Sequence, residues 1–322
     1  MNAIVQTGYG SADVMEYRQV DKPAPGGGEV LVRVKAASLA AGEYFGMRGK
    51  PFPIRFHIGF PRPRPDFVVG IAFAGIVESA GDGVGDLSTG DEVYGECHGS
   101  CAEFAVAEAG SIARKPRNLS FEQAAAVPTS ACTALQALRD HGRVQPGQAV
   151  LINGASGGVG PFAVQVAKAL GAEVTAVCST PNVETIRSLG ADHVVDYTQE
   201  DFTKAGPRYD VILDNVASHS LSETRRALKP DGLLLPSSGN AGMGWIIAAA
   251  LSAVVVRRQG APFMAKTDTA TLDALRDLIE TGRVTPLVDR TYPLRDTARA
   301  FAYLDEGHAR GKVVIAVAHT PS

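Results

Sequence analysis

Residues 149–171, AVLINGASGGVGPFAVQVAKALG, constrain the chain more tightly than any other segment. The apolar run Ala149–Asn153 enters a glycine-rich turn, and an amphipathic segment follows. There Val159, Phe162, Ala163, Val166, Ala167 and Leu170 recur at i, i+3, i+4, i+7, i+8 and i+11, the period of a helix with one apolar stripe. Pro161 stands in the first turn, where a missing N–H costs little, and Gly171 where a C-cap belongs. Strand, tight turn and helix in this order aim backbone N–H groups and the positive end of the helix at one point, which suits a pyrophosphate. Glycine is required because a Cβ would hold phosphate off the backbone and the helix off the strand. The spacing Gly154, Gly157, Gly160 is looser than G-x-G-x-x-G, so the loop takes its meaning from its setting.

That setting is a βαβα alternation. Glu173–Cys178 reads as a strand, Pro181–Leu189 as a helix with Thr180 as N-cap, and Val194–Asp196 as a strand. Tyr209–Asn215 is a further strand, Leu221–Leu228 a helix, and Leu233–Pro236 a strand after the turn Pro230-Asp231-Gly232. Strands separated by helices of this length imply a parallel, doubly wound sheet. The first third differs. Val30–Lys35 alternates, Phe67–Ala80 and Asp91–Glu96 look similar, and glycine turns separate them, a barrel-like pattern of short strands. After Lys266 come the helical patterns Leu272–Thr281 and Asp296–Glu306 and a last strand, Lys312–Val317, which we assign back to the first domain. The expected organisation is a β-rich catalytic domain, residues 1–121 and 266–322, with a Rossmann cofactor domain, 122–265, inserted in it. Between Tyr44 and Asp66 lies a Pro- and Arg-rich stretch that reads as a long loop, either functional or a solvated excursion.

A net charge of −3, with 45% hydrophobic and 20% charged residues, gives no electrostatic reason to expect nucleic acid or an anionic membrane and favours a small-molecule partner. The start, MNAIVQTGYG, lacks the basic and apolar regions of a secretory signal. The apolar stretch Ala241–Val256 is shorter than the ~20 residues a spanning helix needs. It reads as a buried or dimer-facing segment, the alternatives being a lipophilic pocket wall or a surface resting on membrane. Four cysteines are too few for a disulfide scaffold and fit a reducing cytoplasm.

Gly154-Ala155-Ser156-Gly157-Gly158 also satisfies G-x-S-x-G, the hydrolase elbow, which likewise joins strand to helix. Ser156 would then be a nucleophile, partnered by Asp214 or Asp231 and by His308 or His319. That reading leaves Val159-Gly160 and the β-rich first third unexplained.

Beyond the loop, VLVRVKAAS (30–38), VVGIAFAGIVESAG (68–81), GDEVYGE (90–96), AAAVPTSACTAL (124–135), SLGADHVVDY (188–197), YDVILDNV (209–216) and EGHARGKVVIAV (306–317) together resemble the medium-chain dehydrogenase/reductases. The likeness is to their zinc-independent, quinone-oxidoreductase-like branch. The resemblance implies a GroES-like barrel, a Rossmann domain, a nicotinamide cofactor between them, and a homodimer formed through sheet edges. Zinc-bearing relatives carry a Cys just after the VKAAS-like strand and a Gly-His-Glu further on. Here those places read Ser38-Leu39-Ala40 and Gly70-Ile71-Ala72. The pair Cys97 and Cys101 falls short of the four ligands of a structural zinc, so no zinc of either kind is expected.

The expected pyrophosphate site is Gly154, Ser156, Gly157, Gly158 and Val159. By resemblance Thr133, Asn215 and Ser237 line the nicotinamide side. NAD-selective sites place an acid at the end of the second strand, whereas this one offers Ser179 and Thr180, whose hydroxyls suit a 2′-phosphate. The resemblance adds Tyr197, and NADPH is the expected cofactor, with NADH second. Without a Lewis acid, alcohol oxidation is disfavoured and hydride transfer to a quinone or α,β-unsaturated carbonyl is favoured. Tyr44, at the start of the Pro-rich stretch, is the candidate proton donor, and its alternative is packing in the pocket wall. Loss of polar groups at Ala40 and Ala72 keeps a second class of function open, a cofactor-binding sensor or partner-binding protein without turnover.

Overall fold

The computed structural model describes residues 1–238, 242–307 and 309–318. The chain packs as two compact units. Met1–Cys132, Thr267–Glu280 and Pro286–Ser322 make one, and Thr133–Lys266 with Thr281–Thr285 make the other.

The second unit is built on a five-stranded, wholly parallel sheet. Its spatial order is His193–Asp196, Glu173–Cys178, Ala149–Asn153, Tyr209–Asp214, Leu228–Pro236. The chain's first parallel strand therefore lies in the middle and the order reverses beside it, the doubly wound arrangement expected from the alternation. Val150, Leu151 and Ile152 are fully buried, as a central strand covered on both faces requires. The Gly160–Ala169 helix departs from the single-stripe expectation, since every residue from Gly160 to Ala167 is buried. Gln165, off the apolar stripe, is buried by bonding Thr285, its Nε2 donating at 2.9 Å and its Oε1 accepting at 2.8 Å. The expected Pro230-Asp231-Gly232 turn instead lies within one strand, Leu228–Pro236, whose register against Tyr209–Asp214 shifts between Tyr209 and Val211. There backbone passes so close that a Cβ at Gly232 would meet the Tyr209 carbonyl at 2.7 Å.

The first unit holds a seven-stranded sheet in the order Val288–Pro293, Lys312–Ala316, Glu29–Leu39, Ala72–Ala80, Glu92–Glu96, Ile112–Arg114, with Phe104–Glu108 also paired to Glu29–Leu39. The long Glu29–Leu39 strand organises it, pairing antiparallel with three others, among them the C-terminal Lys312–Ala316. The strand expected from Phe67 begins only at Ala72. Gly70 sits at φ +102°, and a Cβ there would meet Ser100 Oγ at 2.4 Å and Cys101 N at 2.6 Å, so the chain turns there, after Phe67–Val69 has bridged to Ile4–Gln6 and before the strand begins.

Two expectations about irregular segments are corrected. The Tyr44–Asp66 stretch is not a bare loop: helices span Ala41–Arg48 and Ile54–Ile58, and Gly49, at φ +59°, ends the first. The apolar stretch from Ala241, itself outside the described residues, folds as the Gly242–Val255 helix, with Ala249 its one buried residue among those described. Within the single chain the segment is thus not buried, and of the two forms of that expectation the dimer-facing one stands. No helix among the described residues is long and apolar enough to cross a membrane.

Candidate functional site

Reversal of strand order beside Ala149–Asn153 creates a crevice outside the carboxyl ends of the strands, the place where open α/β sheets bind ligands. Into it run Gly154, after Asn153, and Asn215, after Asp214. Gly154 takes φ +79°, and a Cβ there would strike Val216 Cγ2 at 2.5 Å. A Cβ on Gly160 would lie 2.3 Å from the Gly154 carbonyl and 2.5 Å from Ala155 backbone, so Gly160 lets the helix start against the loop. Gly157 is different in kind. A Cβ there meets only the Gly154 carbonyl, at an ordinary 3.6 Å. Its lack of a side chain answers no need of the fold.

The floor is fixed by a buried carboxylate. Asp214 Oδ1 accepts from Asn153 Nδ2 (2.8 Å), Val216 N (3.1 Å) and Ala217 N (2.9 Å), which ties the two strand ends together and sets the turn at Ala217, φ +60°. Asn215 donates from Nδ2 to the Asn153 carbonyl at 3.2 Å, while its Oδ1 is buried with no hydrogen-bond partner. An unanswered acceptor at this edge costs about 1–3 kcal/mol unless a ligand donor meets it. This orphaned oxygen is where the residues fit a nicotinamide cofactor. Ser237 follows the last strand, its N–H donating to the Asp214 carbonyl at 2.9 Å, and Thr133 lies half-buried on the Pro128–Leu135 helix.

Ser179, Thr180 and Tyr197 come together at the ends of neighbouring strands, because register places Asp196 opposite Cys178. The same register brings an acid that end-of-strand reasoning overlooks. The Thr180 hydroxyl donates to Asp196 Oδ2 at 2.5 Å, and that bond is the main reason the Asp196 carboxyl lies below its ordinary pKa. Thr180 is thus not the helix cap expected; Ser179 precedes a short 3₁₀ turn and Asn182 the helix, neither making a side-chain cap. Ser179 Oγ accepts from Asn182 Nδ2 at 3.0 Å, and Tyr197 is 62% exposed. The hydrolase alternative finds Asp214 wholly engaged by the floor, while His308 and His319 lie outside the described residues.

In the first unit, sequence reasoning missed the buried pair Glu43 and Lys312. Glu43 occupies the third position of the Ala41–Arg48 helix, and its carboxylate accepts from Ala40 N at 3.0 Å and Ile71 N at 3.1 Å. It therefore pins together the two segments where zinc-bearing relatives place ligands. Burial pushes its carboxyl up to about 7. Lys312, 2% exposed, donates to the Leu39 carbonyl at 3.0 Å, and burial pulls its ammonium down to about 8. Glu96 faces both groups electrostatically and accepts from Thr129 Oγ1 at 2.5 Å. The signal for this cluster is faint: a Glu near a helix start and the Lys in GKVVIAV are residues an ordinary surface also carries. Tyr44 was expected to face substrate, but its hydroxyl donates to Asp305 Oδ1 at 2.7 Å, and that bond leads in raising its pKa. Arg48 binds the same carboxylate. Burial raises the Cys97 and Cys101 thiols, and no group of three His, Cys, Asp or Glu among the described residues is placed to hold a metal.

Comparison with known proteins decides the family. Residues 26–137 match the alcohol dehydrogenase GroES-like domain and 189–315 the family described as zinc-binding dehydrogenase. The chain is 33% identical to 2-methylene-furan-3-one reductase of Solanum lycopersicum, over 98% of this chain and 79% of that one. It belongs to the medium-chain dehydrogenase/reductases. Within them it stands with the quinone-oxidoreductase-like branch. It is 32% identical, over the same shares, to the NADPH-dependent alkenal/one oxidoreductase of Arabidopsis thaliana. The quinone oxidoreductase structure from Coxiella burnetii superposes with a TM-score of 0.88 at 30% identity, covering 99% of each chain. This medium-chain dehydrogenase/reductase is accordingly an oxidoreductase, with the GroES-like and Rossmann parts its sequence implied.

Proposed function

We propose that the protein is a zinc-free, NADPH-dependent reductase of conjugated acceptors, a quinone or an α,β-unsaturated carbonyl. The observation that carries the reading is the crevice itself: a bare Gly157 beside a helix start and an orphaned Asn215 Oδ1, set at the ends of two adjacent parallel strands. Gly154, Ser156, Gly157, Gly158 and Val159 would hold the pyrophosphate, and Asn215, Ser237 and Thr133 the nicotinamide. When bound, the cofactor supplies a hydride. A conjugated acceptor spreads the resulting charge onto oxygen, so the protein need only orient it and exclude water. Relatives named for alkenal, methylene-furanone and quinone reduction support that substrate class. The test is turnover: NADPH should be consumed with quinones and enones, while simple alcohols should yield none with NADP. We place the protein in the cytoplasm, a reading supported by its four unpaired cysteines, although several relatives are named as chloroplastic or mitochondrial, and as a homodimer joined through its sheet edges, a reading supported by its resemblance to the family.

NADPH rests on the Ser179 and Thr180 hydroxyls and on the relative named NADPH-dependent. Asp196 opposes it, since a carboxylate beside Thr180 repels a 2′-phosphate and welcomes a ribose hydroxyl. Asp196→Asn should therefore raise the ratio of NADPH to NADH affinity roughly fivefold, the scale of an exposed charge pair. Titration of both coenzymes by fluorescence checks this, and an unchanged ratio would remove Asp196 from the site.

The proton for the reduced substrate is assigned to water. Tyr44 would have to abandon a carboxylate shared with Arg48 before giving up its proton. Tyr44→Phe is expected to slow turnover less than about threefold, against the 10²–10⁴-fold loss of a true general acid. Steady-state rates at saturating NADPH separate the two.

A further inference from the structure

The turn after the Tyr209–Asp214 strand carries a second group of polar side chains, apart from the floor that Asp214 builds. Asp214 Oδ1 takes the N–H groups of Val216 and Ala217, and Ala217 lies at φ +60°. A left-handed residue other than glycine costs about 1–3 kcal/mol and persists only where its surroundings impose it. Directly beyond this sharp turn the chain offers Ser218 to solvent. The backbone N–H groups of Ser218 and His219 meet no acceptor among the described residues.

Three side chains of the second unit stand here in hydrogen-bond sequence. Ser218 Oγ lies 3.0 Å from His219 Nδ1, and His219 Nε2 lies 3.3 Å from Asp201 Oδ1. The carboxylate draws the imidazole proton to Nε2, which leaves Nδ1 to accept from the Ser218 hydroxyl. Asn153 Nδ2 approaches the same hydroxyl oxygen at 3.4 Å as a donor. Ser156, in the glycine loop, has no imidazole partner among the described residues.

Packing fixes the imidazole. Phe202, 4% exposed, sets its ring edge-on against His219 at 5.2 Å. Asp201 precedes Phe202 and is itself anchored, its Oδ1 accepting from the Thr203 N–H (2.9 Å) and hydroxyl (2.7 Å). The Thr203 hydroxyl leads in holding the Asp201 carboxyl below its ordinary pKa, so Asp201 stays anionic at neutral pH. The His219 and Asp201 side chains keep 27% and 28% of their surface in solvent, which leaves their attraction only partly screened.

We propose that Ser218 is a nucleophile, with His219 as its base and Asp201 as the residue that positions His219, and that this second site takes the acyl group of small activated esters. Ser218 Oγ bonds to the acyl carbon while its proton passes to His219 Nδ1. That proton then goes to the departing alcohol oxygen as the ester C–O bond breaks. Water repeats the sequence, releases the acid and returns the proton to Ser218. The free N–H groups of Ser218 and His219 are available to a developing oxyanion.

The experiment treats the full-length protein with diisopropyl fluorophosphate and locates the modified serine by mass spectrometry, with p-nitrophenyl acetate hydrolysis followed in parallel. Label is expected on Ser218. Ser218→Ala should remove both the label and the initial burst of p-nitrophenol. His219→Gln should slow labelling about a hundredfold, the lower end of what a positioned base contributes, at unchanged melting temperature. Asp201→Asn should slow it as well, and should add nothing in a protein that already carries His219→Gln, since a positioning residue acts only through the group it positions. Label confined to other residues, Ser156 included, would overturn the proposal. So would a Ser218 that reacts no faster in the parent protein than in His219→Gln. No coenzyme enters these assays, so their outcome is independent of the reductase reading.

Discussion

Replacing Gly157 with leucine is expected to weaken coenzyme binding at least about a hundredfold while leaving the fold in place, the cost of about two charge-assisted bonds from backbone to phosphate. The structure separates two roles that a row of glycines conceals. Gly157 has open space where a side chain would grow, so leucine there obstructs a ligand and not the protein. Gly160 has backbone within 2.5 Å of the same point, so leucine there breaks the contact between loop and helix. Gly157→Leu should thus shift the melting temperature by less than about 4 °C, whereas Gly160→Leu should lose folded protein outright. Fluorescence titration with NADPH, read beside circular dichroism, checks both arms. Undiminished titration in Gly157→Leu would remove the loop from the site.

Stability should carry the imprint of the Glu43–Lys312 pair. Glu43 titrates near 7 folded against its ordinary 4.5, so the folded state binds the extra proton between those values. Its contribution is fully present below 4.5 and is lost as pH rises through 7. Lys312 is depressed to about 8 from 10.5, so its contribution is present above 10.5 and is lost as pH falls through 8. The pair therefore penalises folding most between pH 7 and 8, where both groups are charged and buried. Each shift corresponds to about 3 kcal/mol. Urea unfolding of wild type and Glu43→Gln should diverge by about that amount between pH 4.5 and 7, the wild type losing stability and the variant holding level in that component. Lys312→Met should move the Glu43 titration upward, since Lys312 favours the carboxylate. Parallel curves for wild type and Glu43→Gln would show that the carboxyl is not desolvated as the structure has it.

What could be read in the sequence follows from the range of each interaction. The strand, turn and helix around Gly154–Gly160 are local, and their apolar spacing gave the parallel sheet directly. Asp196 escaped because it belongs to the neighbouring strand: only the register opposite Cys178 shows that an acid stands beside Thr180. The hydrogen-bond partner of Tyr44 escaped for a similar reason, Asp305 lying 261 residues away. Glu43 carried no signal, since a carboxylate at the start of a helix is a favourable choice on any surface, and only burial against Ile71 and Lys312 makes it unusual. The Gly242–Val255 helix shows the limit of composition. Its side chains announce that apolar surface must be covered, and nothing in their order says whether protein or lipid covers it.

The central claim is that a hydride is delivered to a conjugated carbon without metal. It is tested most directly by following a label from the nicotinamide into product. With NADPH deuterated at the transferring position and a cyclic enone as acceptor, the account predicts a saturated ketone carrying one deuterium at the β-carbon. Full activity should survive exhaustive treatment with a zinc chelator. Deuterium on the carbinol carbon of an allylic alcohol, or turnover that chelation abolishes, would contradict the account. Tight NADPH binding with no product from any quinone or enone would return the protein to the class of cofactor-binding sensors.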